Sequence, residues 1–333
     1  MRHLKPGRVA GLCLAAGMIG AAPATLADGS KSKDWSLDLK AGVMFDDRVT
    51  VDEADASAAS DVAAVFDIDA AYRLVNESET RVEIGYDFYQ SLYSDLSDFN
   101  WQEHSPSITA WTKALGGVKL GITYAYTYAS LGGSHFYGQH ALTPSLSANI
   151  ADDMQLILSY RYYDKDYEFP EDARDATGNQ VNADLYVYFS ENKKGFVQFG
   201  AGYTDEETRG EVVSVLPGPV LVPTDPYDYS GFTARAAVQV PIDPFGLPGR
   251  VKLSYSYQMR DYDDPTSLFP ALPPAAGLPT RQDDRQTLRA LADVEVADNL
   301  KLYADYRFSD RGSNLATADY NKNVVSMGLE YGF

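Results

Sequence analysis

A stretch in which large apolar residues recur at every second position can hide them only as a strand with two unlike faces. This chain is built from little else. Val118, Leu120, Ile122, Tyr124, Tyr126 and Tyr128 alternate with Lys119, Gly121, Thr123, Ala125 and Thr127. Trp35, Leu37, Leu39, Ala41, Val43 and Phe45 do the same against Ser36, Asp38, Lys40 and Gly42. The pattern recurs about 14 times, over 35–45, 64–74, 81–88, 100–112, 118–128, 137–150, 154–166, 181–190, 195–205, 229–240, 250–262, 282–296, 299–310 and 320–333. Pro106 and Pro144 fall inside two of these stretches, in the similar contexts HSPSITAW and ALTPSLSA. A proline inside a strand removes a ladder bond, so a bulge is expected at both.

The connections have a rhythm of their own. Those after odd stretches are long (47–61, 93–99, 130–136, 167–179, 206–228, 263–281 and 311–319). Those after even ones are short (75–80, 113–117, 151–152, 191–194 and 297–298), with 241–249 as the exception. Long loops at one end and tight turns at the other are the habit of outer-membrane barrels, whose mean hydropathy hides an outward apolar face because only alternate residues meet lipid. A soluble sandwich accounts for the strands and not for the rhythm. The fold expected is all-β: a single transmembrane antiparallel up-and-down β-barrel of about 14 strands over residues 35–333.

Residues 1–27 read as a signal peptide, with Arg2, Lys5 and Arg8 ahead of an apolar core over 9–22 and small residues before Asp28. That core is too short to span a bilayer. Residues 28–34 are then a short periplasmic lead-in. Loss of the peptide takes the formal charge from −19 to −22 and removes Cys13, the one cysteine. So acidic a chain is a poor partner for nucleic acid, and a disulfide or thiolate metal site is excluded.

The polar phase of each strand should face the lumen. Strands one to three place Asp38, Asp67, Asp69, Glu83 and Asp87 there, with Lys40, Arg73 and Arg81. Strands five to eleven place Lys119, Arg161, Lys165, Arg235, Lys252 and Arg260 there, opposed by Asp184. The last three are mixed, with Arg289, Asp293, Glu295, Lys301, Asp305, Arg307, Lys322 and Glu330. Separated acidic and basic sectors suit a water-filled pore that orients polar solutes, and a basic sector favours anions. The same charges also stabilise a wall by cross-strand pairing.

Two outer connections, 206–228 and 263–281, are rich in proline and apolar residues, which suits a lid, a docking surface or a stiffened loop. Tyr93, Tyr128, Tyr163, Tyr262 and Tyr320 stand near strand ends, where an interfacial girdle is expected. His104, His135 and His140 read as loop or rim residues, and no nucleophile, base and orienter come together around Ser134 and His135. No catalytic residue, metal site or cofactor is expected; the acidic loops lack EF-hand spacing.

The run 281–333, with RQDDRQTLRA, NLKLYADYRFSD and GSNLATADYNKNVVSMGLEYGF, resembles the end of a large group of proteobacterial outer-membrane barrels. Similar barrels form the C-terminal domain of the surface lipoprotein assembly modifiers, and related ones accompany exopolysaccharide export systems. The resemblance covers about the last 50 residues. It implies an integral outer-membrane protein, and the even strand count places both termini in the periplasm. Insertion would go through the barrel assembly machinery, with Tyr331 and Phe333 in the strand that the machinery reads. The modifiers' periplasmic helical-repeat domain has no counterpart in the short lead-in expected here. Two functions follow: a porin-like channel for hydrophilic, including anionic, solutes, or an export barrel working with a periplasmic partner.

Overall fold

An open sheet of such strands leaves its first and last strand each short of one neighbour until it closes on itself, and closure is what removes both edges. The protein is described by a computed structural model over residues 34–50, 59–168, 174–190, 193–209, 227–263, 280–314 and 318–333. Its strands are β1 (Trp35–Val49), β2 (Ala59–Asn76), β3 (Thr80–Tyr93), β4 (Trp101–Lys113), β5 (Lys119–Leu131), β6 (Ser134–Ala151) and β7 (Met154–Tyr167). They continue as β8 (Ala176–Tyr188), β9 (Phe196–Thr208), β10 (Tyr229–Ile242), β11 (Gly249–Tyr262), β12 (Gln282–Ala297), β13 (Leu300–Ser313) and β14 (Tyr320–Gly332). Each pairs antiparallel with its chain neighbours, and β1 also pairs with β14, so fourteen strands make one closed up-and-down barrel.

The closing seam is tight. Gly42 and Gly328 lie directly opposite one another across it. A side chain on Gly42 would run into the Met327 carbonyl, and one on Gly328 into the Ala41 carbonyl. Only glycine lets the two backbones approach this closely. The Tyr303 hydroxyl, from β13, reaches across to cover Gly42. At the end of the seam the Phe333 N–H donates to the Leu37 carbonyl at 2.9 Å.

Three local expectations change. Residues 130–136 are not a long loop: β5 and β6 run up to a two-residue turn, Gly132-Gly133, both with positive φ (58° and 84°). That is the backbone a tight hairpin of right-twisted strands requires, and two glycines adopt it without steric cost. The prolines do not make bulges. Around Pro106 the β4–β5 ladder loses its pairs, yet His104↔Tyr128 and Ser107↔Ala125 keep one register on either side. Around Pro144, Leu142↔Tyr162 and Ser145↔Ser159 do the same in the β6–β7 ladder. The missing N–H is absorbed as a gap, while real register shifts occur elsewhere, as between Ala129 and Ser130 or Asp46 and Val49. Strands also run further than hydropathy suggested: β8 begins at Ala176 and β9 continues to Thr208. A ladder continues as long as both backbones stay in reach, whether or not the side chains still alternate.

Residues 1–27, and with them the signal peptide, lie outside the described residues, as do 28–33 of the lead-in. So do 210–226 and 264–279, which make up most of the two proline-rich connections.

Candidate functional site on the inner wall

The two faces of the wall differ chemically. The outer face carries the large apolar side chains, with Val43, Met327, Val181 and Phe199 each more than half exposed. Placed in water, such a continuous apolar belt would be a severe liability; placed in lipid it is the ordinary outer surface of a barrel. Strands of 13 to 18 residues exceed the roughly 9–11 needed to cross the hydrocarbon. The described chain is a membrane-spanning barrel, and the chemistry available to a solute is on the other face.

Acidic side chains gather on β1 to β3. Asp38 stands opposite Asp69, and Asp69 opposite Asp87, so three carboxylates form a row across three strands. None of the three has an ion-pair partner within 4.0 Å among the described residues. Next to the row, Lys40 lies 3.7 Å from Asp67 and 3.9 Å from Glu330, and Lys301 holds Glu330 at 2.7 Å. Glu83 is flanked by Arg73 at 3.6 Å and by Arg81. Asp46 and Asp61 lie outside the stretches of alternation, but they occupy strand ends and are buried. Asp46 pairs with Lys322 at 2.7 Å, and Asp61 accepts hydrogen bonds from Ser94 Oγ and the Asp95 and Leu96 N–H groups.

The cations expected along β5 to β11 are present on the inner face and mostly engaged. Arg235 reaches across Gly200 to Asp184 at 3.2 Å, and Lys165 pairs with Glu206 at 2.8 Å. Glu206 had been assigned to a loop; the extra length of β9 brings it inside. Arg161 lies over the Tyr163 ring at 5.6 Å, Lys252 over Phe196 at 5.8 Å, and Arg260 over Tyr229 at 4.4 Å. The densest positive charge stands instead on β12 and β13. Arg285 is directly opposite Arg311, and Arg289 directly opposite Arg307. Asp305 chelates Arg289, with contacts of 2.6 to 2.9 Å, and Asp283 serves both Arg281 at 2.8 Å and Arg311. Arg289 and Arg307 are among the lumenal charges expected from the sequence; Arg285 and Arg311 are not. The parity of β12 and β13 would have placed both inside.

Parity also corrects the girdle. Tyr93, Tyr163, Tyr262 and Tyr320 share a phase with Asp87, Arg161, Arg260 and Lys322, and they face inward. Tyr93 donates to Asp46 at 3.1 Å, Tyr163 donates to Glu206 at 2.6 Å, and Tyr262 is buried under Arg281. Of the five, only Tyr128 stands outside. The outer tyrosines are a different set, bound in a repeated way. Tyr86 pairs with His104, Tyr124 with His140, Tyr160 with Asn179, Tyr255 with Gln286, Tyr257 with Asp284 and Tyr306 with Asn323, at 2.5 to 3.0 Å. In every case an odd strand supplies the tyrosine, and the next strand supplies a polar partner two residues beyond the one directly opposite. A ring whose hydroxyl is satisfied at one end and whose body is apolar belongs where lipid meets water. His104 and His140 are therefore part of strands, on the outer face, and not loop residues. At the other end of the barrel Trp35, Tyr331 and Phe333 cluster, with ring centroids 4.6 and 5.9 Å apart.

No protein-family model and no curated protein matches the chain. Among solved structures it is similar to an anion-selective porin from Comamonas acidovorans, at 10% identity over 90% of this chain and 98% of that one, with a TM-score of 0.48. It is similar to a bacterial polysaccharide outer membrane secretin at 8% identity, over 89% of this chain and 98% of that one, with a TM-score of 0.47. It is also similar to OprD from Pseudomonas aeruginosa at 12% identity, over 90% and 94% of the two chains, with a TM-score of 0.42. Likeness at this level bears on neither solute nor selectivity.

Proposed function

We propose that the chain is a porin-like channel of the bacterial outer membrane, passing hydrophilic solutes passively, with both termini at the periplasmic end. The observation that carries this reading is the inner wall itself. It is enclosed by a continuous ladder, lined by charge of both signs, and divided by strand into an acidic part on β1–β3 and an arginine-rich part on β12–β13. A wall needing only mutual pairing for stability would interleave its charges. Three adjacent carboxylates and two opposed arginine pairs raise its energy, and they make sense where water and solute occupy the space between.

Single-channel recording in a planar bilayer tests the proposal. Stepwise conductance that persists at constant voltage without any added protein is the expected result. A folded, inserted barrel that stays silent overturns it. One that opens only with a periplasmic partner would favour the export barrel, which rests on the resemblance of residues 281–333.

A further inference from the structure

Directly opposed like charges are destabilising in a sheet, and β12–β13 carries two such pairs on one face, Arg285↔Arg311 and Arg289↔Arg307. The two pairs are four residues apart along the strand, which is about 13 Å. Between them lies only the Thr287–Ser309 pair, two small hydroxyl side chains 3.4 Å apart. The face is thus two arginine rungs with a low polar saddle between them.

The local carboxylates do not balance it. Asp305 is chelated by Arg289, and Asp283 is shared between Arg281 and Arg311. Arg285 and Arg307 have no ion-pair partner within 4.0 Å among the described residues. Among the described residues the Arg285 Nε is buried without a hydrogen-bond partner, beside a cavity of about 10 Å³ lined by Gln258, Arg260, Asp283, Arg285 and Arg311. That gap has room for about one water, so any larger partner must reach the arginines from the lumen, where Arg307 is exposed and Arg285 half-buried, while Arg311 and Ser309 are buried beneath. Alongside, β11 presents Ser256 opposite Thr287, and β14 presents Val324 opposite Arg307 and Lys322 opposite Ser309. A carboxylate near by, Asp46, is taken up by Lys322 at 2.7 Å.

We propose that this saddle binds a small organic dianion, of which a dicarboxylate is the simplest, with one carboxylate on each arginine rung. Planar guanidinium groups match carboxylate oxygens in a paired, fork-like geometry. The two rungs select a ligand charged at both ends over a monoanion. The proposal rests on the channel reading for its physiological sense, since a ligand on this wall is a solute in transit. Its binding test does not depend on conductance.

The experiment uses the full protein in detergent, with succinate as the probe, acetate as the monoanion and the double variant R285Q/R307Q. Isothermal titration should show succinate binding to the wild type, at least tenfold weaker binding of acetate, and loss of at least tenfold in succinate affinity in the variant. The variant should also unfold at an equal or higher urea concentration, because it loses like-charge repulsion. A merely structural role for the two arginines would lower that midpoint instead. Absence of succinate binding to the wild type, or equal affinity in a folded variant, overturns the site. Silence in a planar bilayer with binding intact would overturn the channel and leave the site standing.

Discussion

Asp283 shows how much one side chain can hold. It is 3% exposed and receives Arg281, Arg311 and the Ser313 hydroxyl, tying the start of β12 to the end of β13. Removing one member of a buried ionic cluster leaves like charges crowded in a poorly solvated place, a loss of about 3–5 kcal/mol. Asp283→Ala should therefore lower the urea midpoint of the refolded barrel well beyond what a surface aspartate would. Asp284→Ala is the natural comparison, since its carboxylate faces outward to Tyr257. At this scale the sequence was legible wherever phase was counted. Asp67, Glu83, Arg235 and Arg307 take the phase opposite the exposed apolar side chains of their strands. Nearness to a strand end suggests a girdle position for Tyr163 and Tyr262, but parity with Arg161 and Arg260 puts them on the other face, where they meet Glu206 and Arg281.

The prolines of β4 and β6 belong to the scale of the element. Because register is continuous on either side of Pro106, the strand is already placed to make the bond that proline lacks. Pro106→Ala should thus stabilise the barrel by about 0.5–1.5 kcal/mol, the net value of a restored hydrogen bond, as read from urea unfolding in lipid vesicles. A loss of stability would mean that the gap is accommodated in some other way. Strand existence was readable throughout, since period two is a property of the residues themselves. Strand ends were not. Beyond the lipid both faces are polar, as in Ala176–Gln180, and the hydropathy signal vanishes while the backbone ladder continues. The connection at 130–136 was overestimated for a related reason: a polar, glycine-bearing stretch reads as loop, although Gly132-Gly133 alone makes the turn.

The whole molecule sorts its charge by strand around a closed wall, and the conductance proposed for it should report that arrangement. Because the opposed arginines on β12–β13 and the carboxylate row on β1–β3 act through water, their influence on ion preference should fade as salt shortens the screening length from about 10 Å at 0.1 M to 3 Å at 1 M. Reversal potentials measured across a fixed salt ratio at low and high absolute concentration check this; a preference independent of salt would place selectivity in steric narrowing. The barrel and its lumenal parity were visible in the sequence as repeats. The direct opposition of arginines across β12 and β13 was not, because only the register gives which residues face one another.

The Gly132-Gly133 turn has a practical consequence. It lies at the same end of the barrel as the connections after the other odd strands, yet its two flanking strands stay paired to within a residue of it. Among the described residues no atom lies within 4 Å of where a side chain on Gly133 would start. An epitope inserted after Gly133 would be held upright on a short, stiff stem, unlike one in a long connection that can fold back over the mouth. It should be stained by antibody on intact cells, and staining only after permeabilisation would reverse the orientation of the barrel. The smallest connection at that end is thus the clearest place to learn which way the molecule faces.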